Sequence, residues 1–173
     1  MSESHDFESV DRFTVGAVGE PGRRTFLFQA AAGEVQVSVK CEKQQVAALT
    51  EYLQGVLADL PAVEELATVD LELAPPYDPE WIAGTLSVAY DDVSDRIVIL
   101  VEEVSTVDEE EAVDPLGPDT TSLRVRLTRG QVTALVRRTV ELVEAGRPPC
   151  AVCGNPKGPD HACPRTNGHG PPS

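Results

Sequence analysis

Apolar and polar residues alternate along Val35-Gln36-Val37-Ser38-Val39-Lys40-Cys41, the period of a strand with one buried and one wet face. This puts Cys41 inward with the valines. Directly afterwards the spacing changes: Val46, Leu49, Leu53, Val56, Leu57 and Leu60 share one helical face between Lys43 and Leu60, and Pro61 stops the helix. Upstream, Arg12 to Val18 and Arg24 to Ala30 read as two strands, and Gly19-Glu20-Pro21-Gly22 supplies the turn between them. The same succession then returns. Trp81 to Tyr90 predicts a strand, Asp91 to Asp95 a turn, Arg96 to Glu103 a strand, Ser122 to Leu127 an alternating strand, and Thr128 to Glu144 an amphipathic helix. Thr128 and Gln131 have capping-box spacing, and Gly146 with Pro148 and Pro149 ends the helix. Val63 to Pro76 is acidic, with a short edge strand expected around Val69 to Leu73. Met1 to Ser9 is polar, with Phe7 as its one anchor, and His5 stands alone there.

A direct overlay relates the two halves. At a separation of 86, Val39, Cys41, Gln45, Val46, Ala48 and Leu49 fall on Val125, Leu127, Gln131, Val132, Ala134 and Leu135. On the hairpin the separation is 72, so that Arg24, Phe26, Leu27 and Phe28 fall on Arg96, Val98, Ile99 and Leu100. A longer loop, Val104 to Thr121, takes up the difference. Two βββα units of independent origin would share periodicity, but residue-level matches favour duplication. The expected fold class is α+β: duplicated βββα units forming antiparallel sheet or sheets covered by two amphipathic helices, with a small C-terminal zinc-binding tail. The body spans 1–146, with repeats at about 10–60 and 81–145, and the tail spans 147–173.

Composition changes this picture in two ways. Aromatic residues make up only 5% of the 173, so aliphatic side chains must fill the core. A net charge of -15 gives a surface that repels phosphate backbones and anionic membranes, which argues against nucleic acid and membrane as partners. No apolar run approaches membrane-spanning length, and the acidic N-terminus is unlike a signal peptide, so a cytoplasmic location is expected.

The chemistry concentrates at the end of the chain. Cys150-Ala-Val-Cys153-Gly154 and His161-Ala-Cys163 form a C-x2-C-x7-H-x-C pattern, the spacing of a four-ligand zinc site. Two thiolates two residues apart can grip one ion if the chain turns sharply after the second, and Gly154 permits that turn. With Cys150, Cys153, His161 and Cys163 as ligands the shell is full, which marks a structural Zn2+ rather than a catalytic one. His169 is a second candidate for the imidazole ligand. A disulfide is disfavoured by a reducing compartment, and a redox Cys-x-x-Cys would open a helix, which this sequence does not do. Cys41 belongs to the core pattern.

Elsewhere the sequence holds no phosphate loop, nucleophile elbow or His-Glu-x-x-His pair. Asp108-Glu109-Glu110-Glu111 reads as a solvated charge run, Asp91, Asp92 and Asp95 as turn residues, and Arg137 and Arg138 as surface arginines. Three separated stretches carry a family resemblance: Phe13-Thr-Val-Gly-Ala-Val-Gly-Glu-Pro-Gly-Arg-Arg-Thr-Phe-Leu-Phe-Gln-Ala, Glu42-Lys-Gln-Gln-Val-Ala-Ala-Leu, and the final Cys-x-x-Cys-Gly with His-x-Cys-Pro-Arg-x-Asn-Gly. They resemble an uncharacterised actinobacterial family, a domain of unknown function sometimes labelled a repeat protein. The resemblance implies a bacterial cytoplasmic protein and supports the four-ligand set without naming a reaction.

Two functional expectations follow. In the first, the protein is an interaction or adaptor module whose zinc-bound tail meets a protein partner. Residues 147–173 hold three basic and one acidic residue, net +2, against -17 on the rest. In the second, it is an enzyme or small anionic-ligand binder using a cleft between the repeats, with Arg24 and Arg96 at matching hairpin positions. No acid, base or nucleophile accompanies those arginines, so the non-enzymatic expectation leads.

Overall fold

Among the described residues nine elements follow one another: strands β1 (His5–Phe7), β2 (Arg12–Val18), β3 (Thr25–Ala32) and β4 (Val35–Cys41), helix α1 (Lys43–Ala58), strands β5 (Trp81–Asp91), β6 (Arg96–Glu103) and β7 (Ser122–Leu127), and helix α2 (Arg129–Glu144). The computed structural model describes residues 3–20, 23–62, 70–104 and 120–144. The seven strands form one sheet in the order β1-β7-β6-β5-β4-β3-β2. The chain is α+β, as its periodicities imply.

The sheet is mixed rather than antiparallel. The β2-β3-β4 and β5-β6-β7 meanders are antiparallel inside, but β4 meets β5 in parallel through Val39 with Trp81 and Lys40 with Ile82. Helix α1 carries the chain back before β5 begins, and a strand that re-enters from the same end must run parallel to its neighbour. At the other end β1, which alternation does not reveal, pairs in parallel with β7, Phe7 opposite Val125.

That pairing bends the sheet. Laid flat, six steps of about 4.8 Å would part β1 from β2 by roughly 29 Å. The five residue steps from Phe7 to Arg12 span at most about 18 Å, so the sheet curls until its edges approach. Consistent with this, α2 leaves β7 yet packs on β2, the strand at the far end of the order, while α1 packs on α2 and β5.

One core serves both helices and the inward strand face, and Phe28, Val37, Val39, Leu53, Ile99, Val125 and Leu135 are among its most buried members. Register decides which hairpin residues belong to it. Val39 lies opposite Phe28 and Val125 opposite Ile99. The separation of 86 between Val39 and Val125 therefore relates Phe28 to Ile99, 71 apart. The expected separation of 72 would set inward Phe28 on outward Leu100, because a slip of one residue exchanges the two faces. On β2 and β5 the same logic relates Val15 to Val88, 73 apart, since the first hairpin turn is two residues longer than the second.

The outward face of β2-β3-β4 is buried too. No strand forms at 70–73. Instead residues 70–76 lie across this face as a strap: the Thr14 hydroxyl donates to the Leu71 carbonyl, and Gln29 both donates to the Ala74 carbonyl at 2.9 Å and accepts from its N–H at 2.8 Å. Leu73 sits so close that a Cβ on Gly16 would stand 2.4 Å from its Cγ. A side chain at position 16 would have to displace Leu73 from this face.

Both helices open with a glutamine three residues past the cap. Gln131 Oε1 accepts from the Thr128 N–H while Thr128 Oγ1 accepts from the Gln131 N–H, completing the expected box. Gln45 Oε1 accepts from the Glu42 N–H in the same way. Each amide then donates onward, Gln45 to the carbonyls of Ala83 and Gly84 and Gln131 to that of Val10. Helix starts are thus tied to the places where β5 shifts register and where β1 breaks from β2.

Candidate functional site

The expected metal ligands Cys150, Cys153, His161 and Cys163, the alternative His169, and the acidic run Asp108 to Glu111 all lie outside the described residues. Among the described residues no three or more His, Cys, Asp or Glu side chains group so as to hold a metal ion. None of their helices is long and apolar enough to cross a membrane.

Cys41 takes the core position its alternation predicts, at the end of β4. Burial, reinforced by the neighbouring Glu42 charge, pushes its thiol up from 9.0 to about 12. Alkylation by iodoacetamide at pH 8, mapped residue by residue by mass spectrometry, should spare Cys41 in the folded chain and reach it after unfolding. Native alkylation at the rate of a free thiol would contradict its burial. Above pH 9 the unfolded thiol ionises while the buried one keeps its proton to about 12, so its stabilising contribution is complete below pH 9 and declines through that window.

The arginines behave differently from their expected roles. Arg96 donates to the carbonyls of Ser94 and Asp95, finishing its own hairpin turn. Counted from the strand register, a separation of 71 would set Arg96 on Thr25 rather than on Arg24. The line between the halves is occupied by β4 pairing with β5 and by α1 packing on α2. Arg138 is no mere surface arginine: its guanidinium bonds Glu72 of the strap at 3.3 Å, and its Nε is buried. A cleft of about 290 Å³ lies beside this pair, between the end of β2 and Tyr77.

The turn aspartates are turn aspartates. Asp91 accepts from the Val93 N–H and from the Ser94 hydroxyl, and these bonds, Ser94's foremost, hold its carboxyl below the ordinary range. Asp95 adopts a positive φ of 53°. Hydrogen bonds from Tyr90 and Arg129 lower its pKa, and the same bond raises that of Tyr90. Arg129 also donates to the Pro61 carbonyl, so this exposed cluster clasps the second hairpin turn to the start of α2 and the end of α1. His5, expected to be alone, sits in β1 with Nε2 2.9 Å from Glu80. Sequence reasoning missed this bond because 75 residues separate the partners.

A second open region runs along α1. Cavities of about 340 Å³ and 520 Å³ share Ala48 and Tyr52; the first is closed by Leu86 and Val88 of β5, the second by Glu51 and Asp59. Tyr52 is 59% exposed between them.

Among the described residues, neither opening carries a catalytic constellation that would name a reaction. A family model described as a protein of unknown function, DUF3090, matches residues 5–163. The chain belongs to the DUF3090 family. No curated protein and no solved structure matches it. The DUF3090 span opens in β1 and closes on Cys163, so it takes in both meanders, both helices and the whole cysteine-bearing run.

Proposed function

We propose that the protein is an interaction module: a duplicated βββα body bearing a C-terminal knuckle, held by one structural zinc ion on Cys150, Cys153, His161 and Cys163 and offered to a protein partner. The observation that carries this is the C-x2-C-x7-H-x-C run, lying wholly inside the family span of 5–163. Three thiolates and a neutral imidazole neutralise the ion to a net charge of about -1 and leave it no open coordination place. A reducing compartment such as the cytoplasm keeps those thiols available. Duplication is supported by the paired roles of Gln45 and Gln131, and by the parallel joints that β5 makes with β4 and β1 with β7.

Purified under reducing conditions, the full chain should contain about one zinc per molecule by elemental analysis. Cys153→Ser should release the metal, leave the far-ultraviolet signal of the body in place, and abolish capture of the partner. His161→Ala should likewise lose zinc, and His169→Ala should keep it. Metal-free protein with every cysteine reduced would overturn the zinc assignment; undiminished partner capture by Cys153→Ser would overturn the role of the knuckle.

A further inference from the structure

Among the described residues, the two halves present comparable grooves, and a described segment lies in one of them. Beside α2 and β2 the groove holds the strap that follows α1: Leu71 is bonded by Thr14, Leu73 lies on Gly16, and Glu72 pairs with Arg138. The counterpart lies beside α1 and β5. There Tyr52 stands 86 residues before Arg138, and Ser87 and Ala89 stand 73 after Thr14 and Gly16. Ser87, Ala89 and Tyr52 are exposed, and the cavities of about 340 Å³ and 520 Å³ open at this place.

We propose that the segment after α2, within residues 147–163, docks in the α1–β5 groove as residues 70–76 dock in the α2–β2 groove. This rests on the duplication in the functional reading above, and it holds whether or not zinc is the ion bound.

Length fits. Thirteen residues carry the chain from Ala58, the end of α1, to Leu71 in its groove; thirteen from Glu144, the end of α2, lead to Lys157, and 29 residues follow Glu144 in all. Helices α1 and α2 pack together, and Arg129 at the start of α2 reaches Pro61 just past the end of α1. The end of α2 therefore lies toward the start of α1, where the groove begins at Ala48. Charge fits as well. Glu51 and Asp59 line the adjoining opening along α1, which shares Ala48 and Tyr52 with the groove, and the segment brings Lys157, with Arg147 and Arg165 flanking it, against one acidic residue, Asp160. The acidic run Asp108 to Glu111 would meet those carboxylates with like charge. A second copy of the chain would bring the net charge of -15 against itself.

The full-length chain carrying p-benzoylphenylalanine in place of Tyr52 tests this. Irradiation should give an intrachain product that mass spectrometry maps to a peptide within 147–163. A dimer on a denaturing gel would assign the groove to a second copy, and a product within 105–119 would assign it to the acidic loop; either result, or no crosslink at all, overturns the proposal. In parallel, Tyr52→Glu and Ala89→Glu should speed tryptic cleavage after Lys157 at least tenfold, and an unchanged rate also overturns it. Zinc content, measured on the same samples, separates the two ideas. Cleavage that accelerates with zinc retained supports docking, whereas a crosslink to the segment in metal-free protein keeps the docking and removes the zinc.

Discussion

Phe28→Ala is expected to lower the unfolding free energy by about 3–5 kcal/mol, read as a shifted urea midpoint at unchanged slope. Phe28 is fully buried, lies between Val15 and Val39 on the neighbouring strands, and stacks on Phe13 with ring centroids 6.0 Å apart. The surrounding β-branched and β-sheet side chains are stiff, so the vacated volume stays largely empty. A companion pair checks the register. Ile99→Ala, at the inward position, should cost about 2–5 kcal/mol, while Leu100→Ala, outward and half-buried, should cost clearly less. If Leu100 proved the costlier of the two, the inward placement of Ile99 would be wrong.

The second large effect concerns a polar residue. Gln29→Leu should destabilise the fold by about 3 kcal/mol, because each buried partner left unmet costs about 1–3 kcal/mol. Gln29 is fully buried on the outward face of β3, where its carbonyl oxygen accepts from the Ala74 N–H and from Arg12, and its amide donates to the Ala74 carbonyl and to Ser38. Leucine matches the bulk but none of these bonds. Ala74 would keep only the bond from Gln36 to its carbonyl. Amide exchange at Ala74 should accelerate with the loss of stability, reporting release of the strap. A variant within about 0.5 kcal/mol of the parent would show that the strap owes little to Gln29.

These two residues lie side by side and illustrate what alternation can and cannot convey. Period two correctly separates Phe28 from Gln29, and it would leave Gln29 in water. Among the described residues, 70–76, which have no period of their own, turn that wet face into a buried one. Thr14 and Ser38 share this history. Arg138 does too, since its partner Glu72 is 66 residues away.

The hairpin register failed for a different reason. Ile97 to Val101 is a continuous apolar run, so sliding it by one residue still sets apolar on apolar. Pairing with the alternating β7 removes the ambiguity, because Leu123, Val125 and Leu127 can bury only one face. Strand β1 escaped notice because three residues cannot display a period, and its pairing with β7 is made across more than a hundred residues.

Features that depend on neighbours within about one turn or one strand were therefore legible in the residues alone: the inward set of Val37, Val39 and Cys41, the faces of both helices, and the Thr128–Gln131 cap. Each rests on short-range geometry, so a short window contains the whole cause. The mixed pairing, the curl of the sheet, the strap over Gln29 and the groove between α1 and β5 at Tyr52 arose only when distant segments met. Their energy comes from water excluded between surfaces far apart in the chain, and no local pattern records which surface will find which.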